Sequence, residues 1–201
     1  MEREKKVINS KLKTPYQNFV IAPLLKLSLL RNIDPKALTF LSLFFGLLIP
    51  FFLPLGLPTL SLLCLALSGF FDTLDGALAR HVGKTSSQGA VLDITSDRIV
   101  EFMVVLGLYL VNPGGRSLLC LLMLGSILFC ITTFLVVGIF TQNTTAKSFY
   151  YSPGIIERAE AFVFFALMMI FPAAFIPLAL IFICLVIATG LIRIYQFMNF
   201  S

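Results

Sequence analysis

The sequence predicts an all-α polytopic membrane protein, with six transmembrane helices after an N-terminal interfacial amphipathic helix. Charge scarcity is the first observation behind that prediction. Only 12% of the 201 residues are charged, and the mean hydropathy is +0.97. A soluble domain carries roughly 25% charged residues, so this chain has too little polar surface to cover itself in water. The second is block structure. No Asp, Glu, Lys or Arg falls between Lys36 and Asp72, Glu101 and Arg116, Arg116 and Lys147, or Glu160 and Arg193. Each block holds one or two apolar runs of about 20 residues, the length that crosses a bilayer. The third is punctuation: turn and helix-start residues divide these blocks into six spans.

Residues 1–34 form the interfacial segment. Eight of the fifteen Lys and Arg lie in the first 36 residues. From Lys11 to Arg31, "KLKTPYQNFVIAPLLKLSLLR" mixes basic and apolar residues, with Pro15 and Pro23 interrupting it. This suits an anionic membrane surface, not nucleic acid. No apolar run with a small-residue cleavage site follows the first residues, so no signal peptide is read.

Asp34 and Pro35 provide a helix N-cap and first position, and the first span runs from Pro35 to Leu53. Pro54, Gly56 and Pro58 make a turn. The second span covers Thr59 to Arg80, and "HVGKTS" (81–86) is a polar loop. The third runs from Ser87 to Val111, "NPGGR" (112–116) is a turn, and the fourth covers Ser117 to Phe140. The longest polar loop, "TQNTTAKSFYYSPG", leads to a fifth span from Ile155 to Phe171. Pro172 and Pro177 bracket a turn, and the sixth span ends near Gln196.

Residues 35–198 are thus the six-helix region of one domain, 1–201, without internal repeats. An even number of spans puts both termini on one side. That side holds the basic N-terminal cluster with Arg80, Lys84, Lys147, Arg158 and Arg193; the other holds Arg116. By the positive-inside pattern the termini are cytoplasmic. The short polar termini suit a bacterial inner membrane.

Cys64, Cys120, Cys130 and Cys184 are scattered through apolar runs without a CxxC pair, and His81 is the lone histidine. The cysteines read as small apolar filler rather than metal or disulfide residues, and a single histidine excludes His-rich metal chemistry.

The chemistry is concentrated in "FFDTLDGALARHVGKTSSQGAVLDITSDRIVEF", Phe70 to Phe102. Asp72 and Asp75 end the second span; Asp93 and Asp97 open the third. Spacings of three and four put each pair on one helix face. A charge within a span costs roughly 2.5–3.5 kcal/mol on insertion scales, so four acids there require neutralisation. Arg80 and Arg98 offset part of it. A divalent cation matches four convergent carboxylates better, and all-oxygen ligation selects Mg²⁺, Mn²⁺ or Ca²⁺ over Zn²⁺. One ion, or two about 4 Å apart, would bind phosphates and stabilise both oxygens of a displacement. Gly76, Ala79 and Gly89 keep the acidic faces open for a ligand.

Together these residues read D72-x2-D75-G76-x2-A79-R80-x8-G89-x3-D93-x3-D97. That pattern resembles, at every fixed position, the signature of the CDP-alcohol phosphotransferase (phosphatidyltransferase) family. The resemblance implies an enzyme that transfers a phosphatidyl group from CDP-diacylglycerol to an alcohol and releases CMP. It implies that Asp72, Asp75 and Asp93 bind Mg²⁺ or Mn²⁺, that Asp97 both ligates metal and acts as base, and that Asp72, Gly76, Ala79, Arg80 and Gly89 contact the cytidine diphosphate. Many relatives have Pro-Asn before the first span and a Thr soon after. Here Lys36 replaces the Asn but Thr39 is present, and it joins the nucleotide-binding set. A homodimer is a further family expectation.

For the acceptor, Asp97 is followed by an arginine, as in members that make phosphatidylinositol or its phosphate. The Gly154-x3-Arg158-x-Glu160 start of the fifth span is similar to inositol-phosphate members. Lys147, Arg158 and Arg193 are the candidate acceptor-binding residues, because Arg grips phosphate through a bidentate fork. Inositol or inositol phosphate is the expected acceptor, with glycerol 3-phosphate, serine or another alcohol as alternatives. A prenyltransferase would want a second Asp-rich motif, and a cation transporter would place its acids near the midplane between repeats.

Overall fold

The structure of the protein is a computed structural model that describes residues 21–25, 33–141 and 154–200. Lys147 and most of the interfacial segment lie outside them. Among the described residues all regular structure is helical: α1 (Ala22–Leu25), α2 (Pro35–Phe52), α3 (Pro58–His81), α4 (Ser87–Val111), α5 (Pro113–Phe140), α6 (Arg158–Ile170) and α7 (Phe175–Phe200), with a 3₁₀ turn at Pro172–Ala174.

Short polar side chains set the helix starts. Asp34 accepts from the Lys36 N–H at 3.0 Å, Ser86 from Gly89 N–H at 3.1 Å and Asn112 from Gly115 N–H at 3.1 Å. Each satisfies a donor that the first helical turn leaves free. The Asn112 cap corrects the expected 112–116 turn: only Asn112 links α4 to α5, and Pro113 to Arg116 already form the first turn of α5. Pro177 does not end a turn either. It is the third residue of α7, where a missing N–H costs no intrahelical bond. The fifth span starts later than expected, at Arg158, because residues 154–157 run across α7. There the Ile156 N–H donates to Thr189 Oγ1 at 3.1 Å, and Glu157 and Glu160 form a reciprocal capping box.

Among the described residues, four helical stretches are long and apolar enough to cross a membrane: α2, α3, α5 and Pro172–Asn199. Phe44, Phe51, Leu118, Leu121 and Ile139 are more than half exposed on them, as expected of a surface that faces lipid. α4 and α6 fall short for different reasons. The acidic site loads α4 with Asp93, Asp97, Arg98 and Glu101, and α6 has only 13 residues.

α2 packs on both α3 and α4, α5 on α7, and α6 on α3 and α7. Consecutive α3 and α4 are not among these close pairs, so α2 holds the two acidic helices and leaves a gap between them. Small residues let α2 approach. The Ser42 hydroxyl donates to Ser68 O at 2.8 Å. A Cβ on Gly107 would lie 3.3 Å from Pro50 Cα, and one on Gly46 would lie 2.6 Å from Val100 Cγ2. Gly46→Val is therefore expected to cost about 1–3 kcal/mol by overpacking. Thermal unfolding in detergent checks this: an unchanged midpoint would show that α2 and α4 separate without penalty.

At the end of the bundle away from the acids, Arg116 is buried. It donates to Leu108 O at 3.1 Å and Pro172 O at 3.4 Å, with its guanidinium 4.3 Å from the Phe175 ring centroid. It clamps α4, α5 and the start of α7 together, and is not a loosely solvated loop charge.

Candidate active site

The gap between α3 and α4 opens into a cavity of about 650 Å³ that also touches α5, α6 and α7. Asp72 and Asp75, three apart on α3, and Asp93 on α4 point into it. One carboxylate oxygen from each lies within 4.8 Å of the other two. Three anionic oxygens so close repel one another, and the surrounding apolar helices screen them poorly. The donor set is all oxygen and convergent, which suits a hard divalent cation of the Mg²⁺ or Mn²⁺ type. No other group of three potential ligands is present among the described residues.

Asp75 is the most buried of the three, and its orientation is fixed from α2. The Thr39 hydroxyl donates to Asp75 Oδ2 at 2.5 Å across 36 residues of sequence. Thr39 belongs to the predicted nucleotide-binding set; in the structure its hydroxyl is engaged with one of the three carboxylates. Groups that orient metal ligands typically contribute 10–100-fold to metal affinity or activity. Thr39→Val is thus expected to weaken Mn²⁺ binding by about 10–100-fold and Thr39→Ser to restore it. Equal affinities in a Mn²⁺ titration of wild type and Thr39→Val would contradict the role.

Asp97 stands apart from the three-carboxylate group. Arg158 Nη1 lies 2.6 Å from Asp97 Oδ1 and also pairs with Asp72 Oδ1, while Arg98 Nη2 is 3.9 Å from Asp97 Oδ2. Partial neutralisation of the aspartates was expected from Arg80 and Arg98; Arg158 makes the closer pairs. Arg158 opens α6, and the Thr189 contact and the capping box fix its backbone. A Cβ on Gly154 would overlap Thr189 Cγ2, so the chain lies too close to α7 for a side chain at that position.

The remaining predicted residues separate by location. Gly76 and Arg80 line the cavity with Asp72. Ala79 and Gly89 do not line it; Gly89 forms the capped first turn of α4. Arg193 lines the far wall, where it donates to Cys130 O at 3.2 Å and its guanidinium lies 5.2 Å from the Phe134 ring. Lys147 is outside the described residues.

Sequence reasoning did not count Glu101 as a site residue. It is buried, lines the cavity, and pairs with Arg98 Nη1 at 2.7 Å. Its position four residues after Asp97 was the available signal: Asp93, Asp97 and Glu101 follow one face of α4 at a spacing of four.

Comparison with known proteins agrees with this geometry. The family described as CDP-alcohol phosphatidyltransferase matches residues 32–192. The inner membrane protein YnjF of Escherichia coli (strain K12) is 33% identical over 172 residues, covering 82% of this chain and 83% of that protein. A phosphatidylinositol phosphate synthase of Mycobacteroides abscessus is 34% identical over 97 residues, 48% of this chain and 43% of that protein. Among solved structures, the Mycobacterium tuberculosis phosphatidylinositol phosphate synthase in complex with manganese and citrate superposes with a TM-score of 0.71 at 21% identity, covering 90% of each chain. The same enzyme with CDP-DAG bound gives a TM-score of 0.65. Helix order, the acidic signature and the family match agree: this chain is a member of the CDP-alcohol phosphatidyltransferase family.

Proposed function

We propose that the protein transfers the phosphatidyl group of CDP-diacylglycerol to a hydroxyl of inositol or inositol phosphate, releasing CMP. The convergence of Asp72, Asp75 and Asp93 oxygens within 4.8 Å carries this reading. A solved structural neighbour contains manganese, another contains CDP-DAG, and several sequence relatives are named for inositol-phosphate lipid synthesis.

A divalent cation at these carboxylates would neutralise diphosphate oxygens and stabilise both the attacking and the departing oxygen of the displacement. Thr39 keeps Asp75 aimed at the site. Arg80 meets the diphosphate of the CDP moiety, and Gly76 leaves room beside it. Asp97 accepts the proton of the attacking hydroxyl, which forms the new P–O bond as the bond to CMP breaks. Arg158 and Arg193, with Lys147, bind the anionic group of a phosphorylated acceptor.

The whole chain, 1–201, acts as one domain with six spans and both termini on the cytoplasmic face of a bacterial inner membrane, as a homodimer. Five of the six spans are supported by the four long apolar stretches and the 25-residue α4, and the orientation by the placement of the basic residues. Labelled acceptors test the acceptor assignment. Inositol or inositol phosphate should enter lipid in an Mn²⁺- or Mg²⁺-dependent reaction. Incorporation of glycerol 3-phosphate or serine instead would keep the reaction class and overturn the acceptor.

A further inference from the structure

One side chain stands where two functions need it. Arg158 Nη1 bridges Asp72 on α3 and Asp97 on α4, and Asp72 is also one of the three carboxylates that converge for a cation. An ion held by Asp72 at about 2.0–2.6 Å would lie one carboxylate away from the guanidinium. Positive charges that close in a poorly screened cavity repel strongly. Arg158 Nη2 is buried and makes no hydrogen bond among the described residues, so this guanidinium already has donor capacity left over. Its backbone is held by Thr189 and by the Glu157–Glu160 capping box, so any response to a cation must come from the side chain alone.

We propose that Arg158 is an internal counter-ion that competes with the divalent cation for Asp72, and that cation binding turns its guanidinium towards an anion in the cavity. Metal loading and anion binding are then coupled through one residue, each tightening the other by the same factor. Before loading, Arg158 stabilises a site whose carboxylates repel; after loading its bond to Asp72 is released, and the guanidinium, still paired with Asp97, turns its other donors to the acceptor. The inference rests on the metal reading of Asp72, Asp75 and Asp93 proposed above.

The test is an electron-paramagnetic-resonance titration of Mn²⁺ into the purified full chain in detergent, with and without inorganic phosphate as the anion probe. Arg158→Gln should bind Mn²⁺ roughly tenfold more tightly than wild type, within the 5–150-fold typical of coupled sites. Arg98→Gln removes the same charge without touching Asp72 and should tighten binding far less. Phosphate should strengthen Mn²⁺ binding in wild type and do so less in Arg158→Gln. If Arg158→Gln misfolds, Arg158→Lys serves: its compact ammonium holds two carboxylates poorly and should also tighten Mn²⁺ binding. Unchanged or weaker binding in the folded Arg158 variants, or equal tightening by Arg98→Gln, would overturn the competition. Mn²⁺ binding that survives Asp93→Asn would overturn the metal reading and this inference with it.

Discussion

Asp93→Asn is expected to reduce CMP release from CDP-diacylglycerol by more than about 100-fold, because groups that merely orient a metal ligand already cost 10–100-fold when lost. Asp93 is the only member of the three-carboxylate group contributed by α4. Replacing it with a neutral amide of the same size leaves Asp72 and Asp75 on α3, which offer two ligands from one helix and none across the gap. The fold should not suffer. The substitution removes one of three mutually repelling carboxylates, so the thermal midpoint without metal should stay level or rise. Lost activity with an unchanged or raised midpoint is the expected combination, and steady-state CMP release with thermal unfolding of the same preparation measures both. Activity retained near the wild-type level would remove Asp93 from the site.

Asp97→Asn should separate chemistry from metal binding. A positioned general base contributes about 10²–10⁴-fold, and turnover should fall by that amount. Mn²⁺ affinity should change much less, because Asp97 is held by Arg158 and lies outside the three-carboxylate group. The sequence resemblance gave Asp97 both a base and a ligand role; this comparison distinguishes them. If affinity and turnover fall together, Asp97 is a ligand first. A turnover loss smaller than about tenfold would rule it out as the base.

Periodicity made the helices and the acidic faces legible. The second and third spans were predicted almost to the residue, because Pro58, Ser86 and Asn112 are local signals that act through their own side chains. What was hidden depends on tertiary approach. Thr39 reads as a residue near a helix start, and its bond to Asp75 arises because α2 packs along α3. The late start of α6 follows from Gly154 and Thr189, 35 residues apart, which no local pattern connects. Arg158 read as a candidate for an acceptor anion. Its pairs with Asp72 and Asp97 arise where α6 meets α3 and α4. Glu101 was the missed opportunity: its spacing from Asp97 was visible, but only its burial on the cavity wall marks it as part of the site.

The most direct test of a cation-dependent phosphatidyl transfer at these aspartates is to follow CMP and lipid product together, in one reaction, before and after chelation. Purified protein would be given CDP-diacylglycerol, Mn²⁺ and either inositol or inositol phosphate. The predicted result is acceptor-stimulated release of CMP in step with new phospholipid, abolished by chelator and restored by added Mn²⁺ or Mg²⁺. Acceptor-stimulated transfer that persists after chelation, or no CMP release with any alcohol acceptor in the presence of metal, would contradict the central claim.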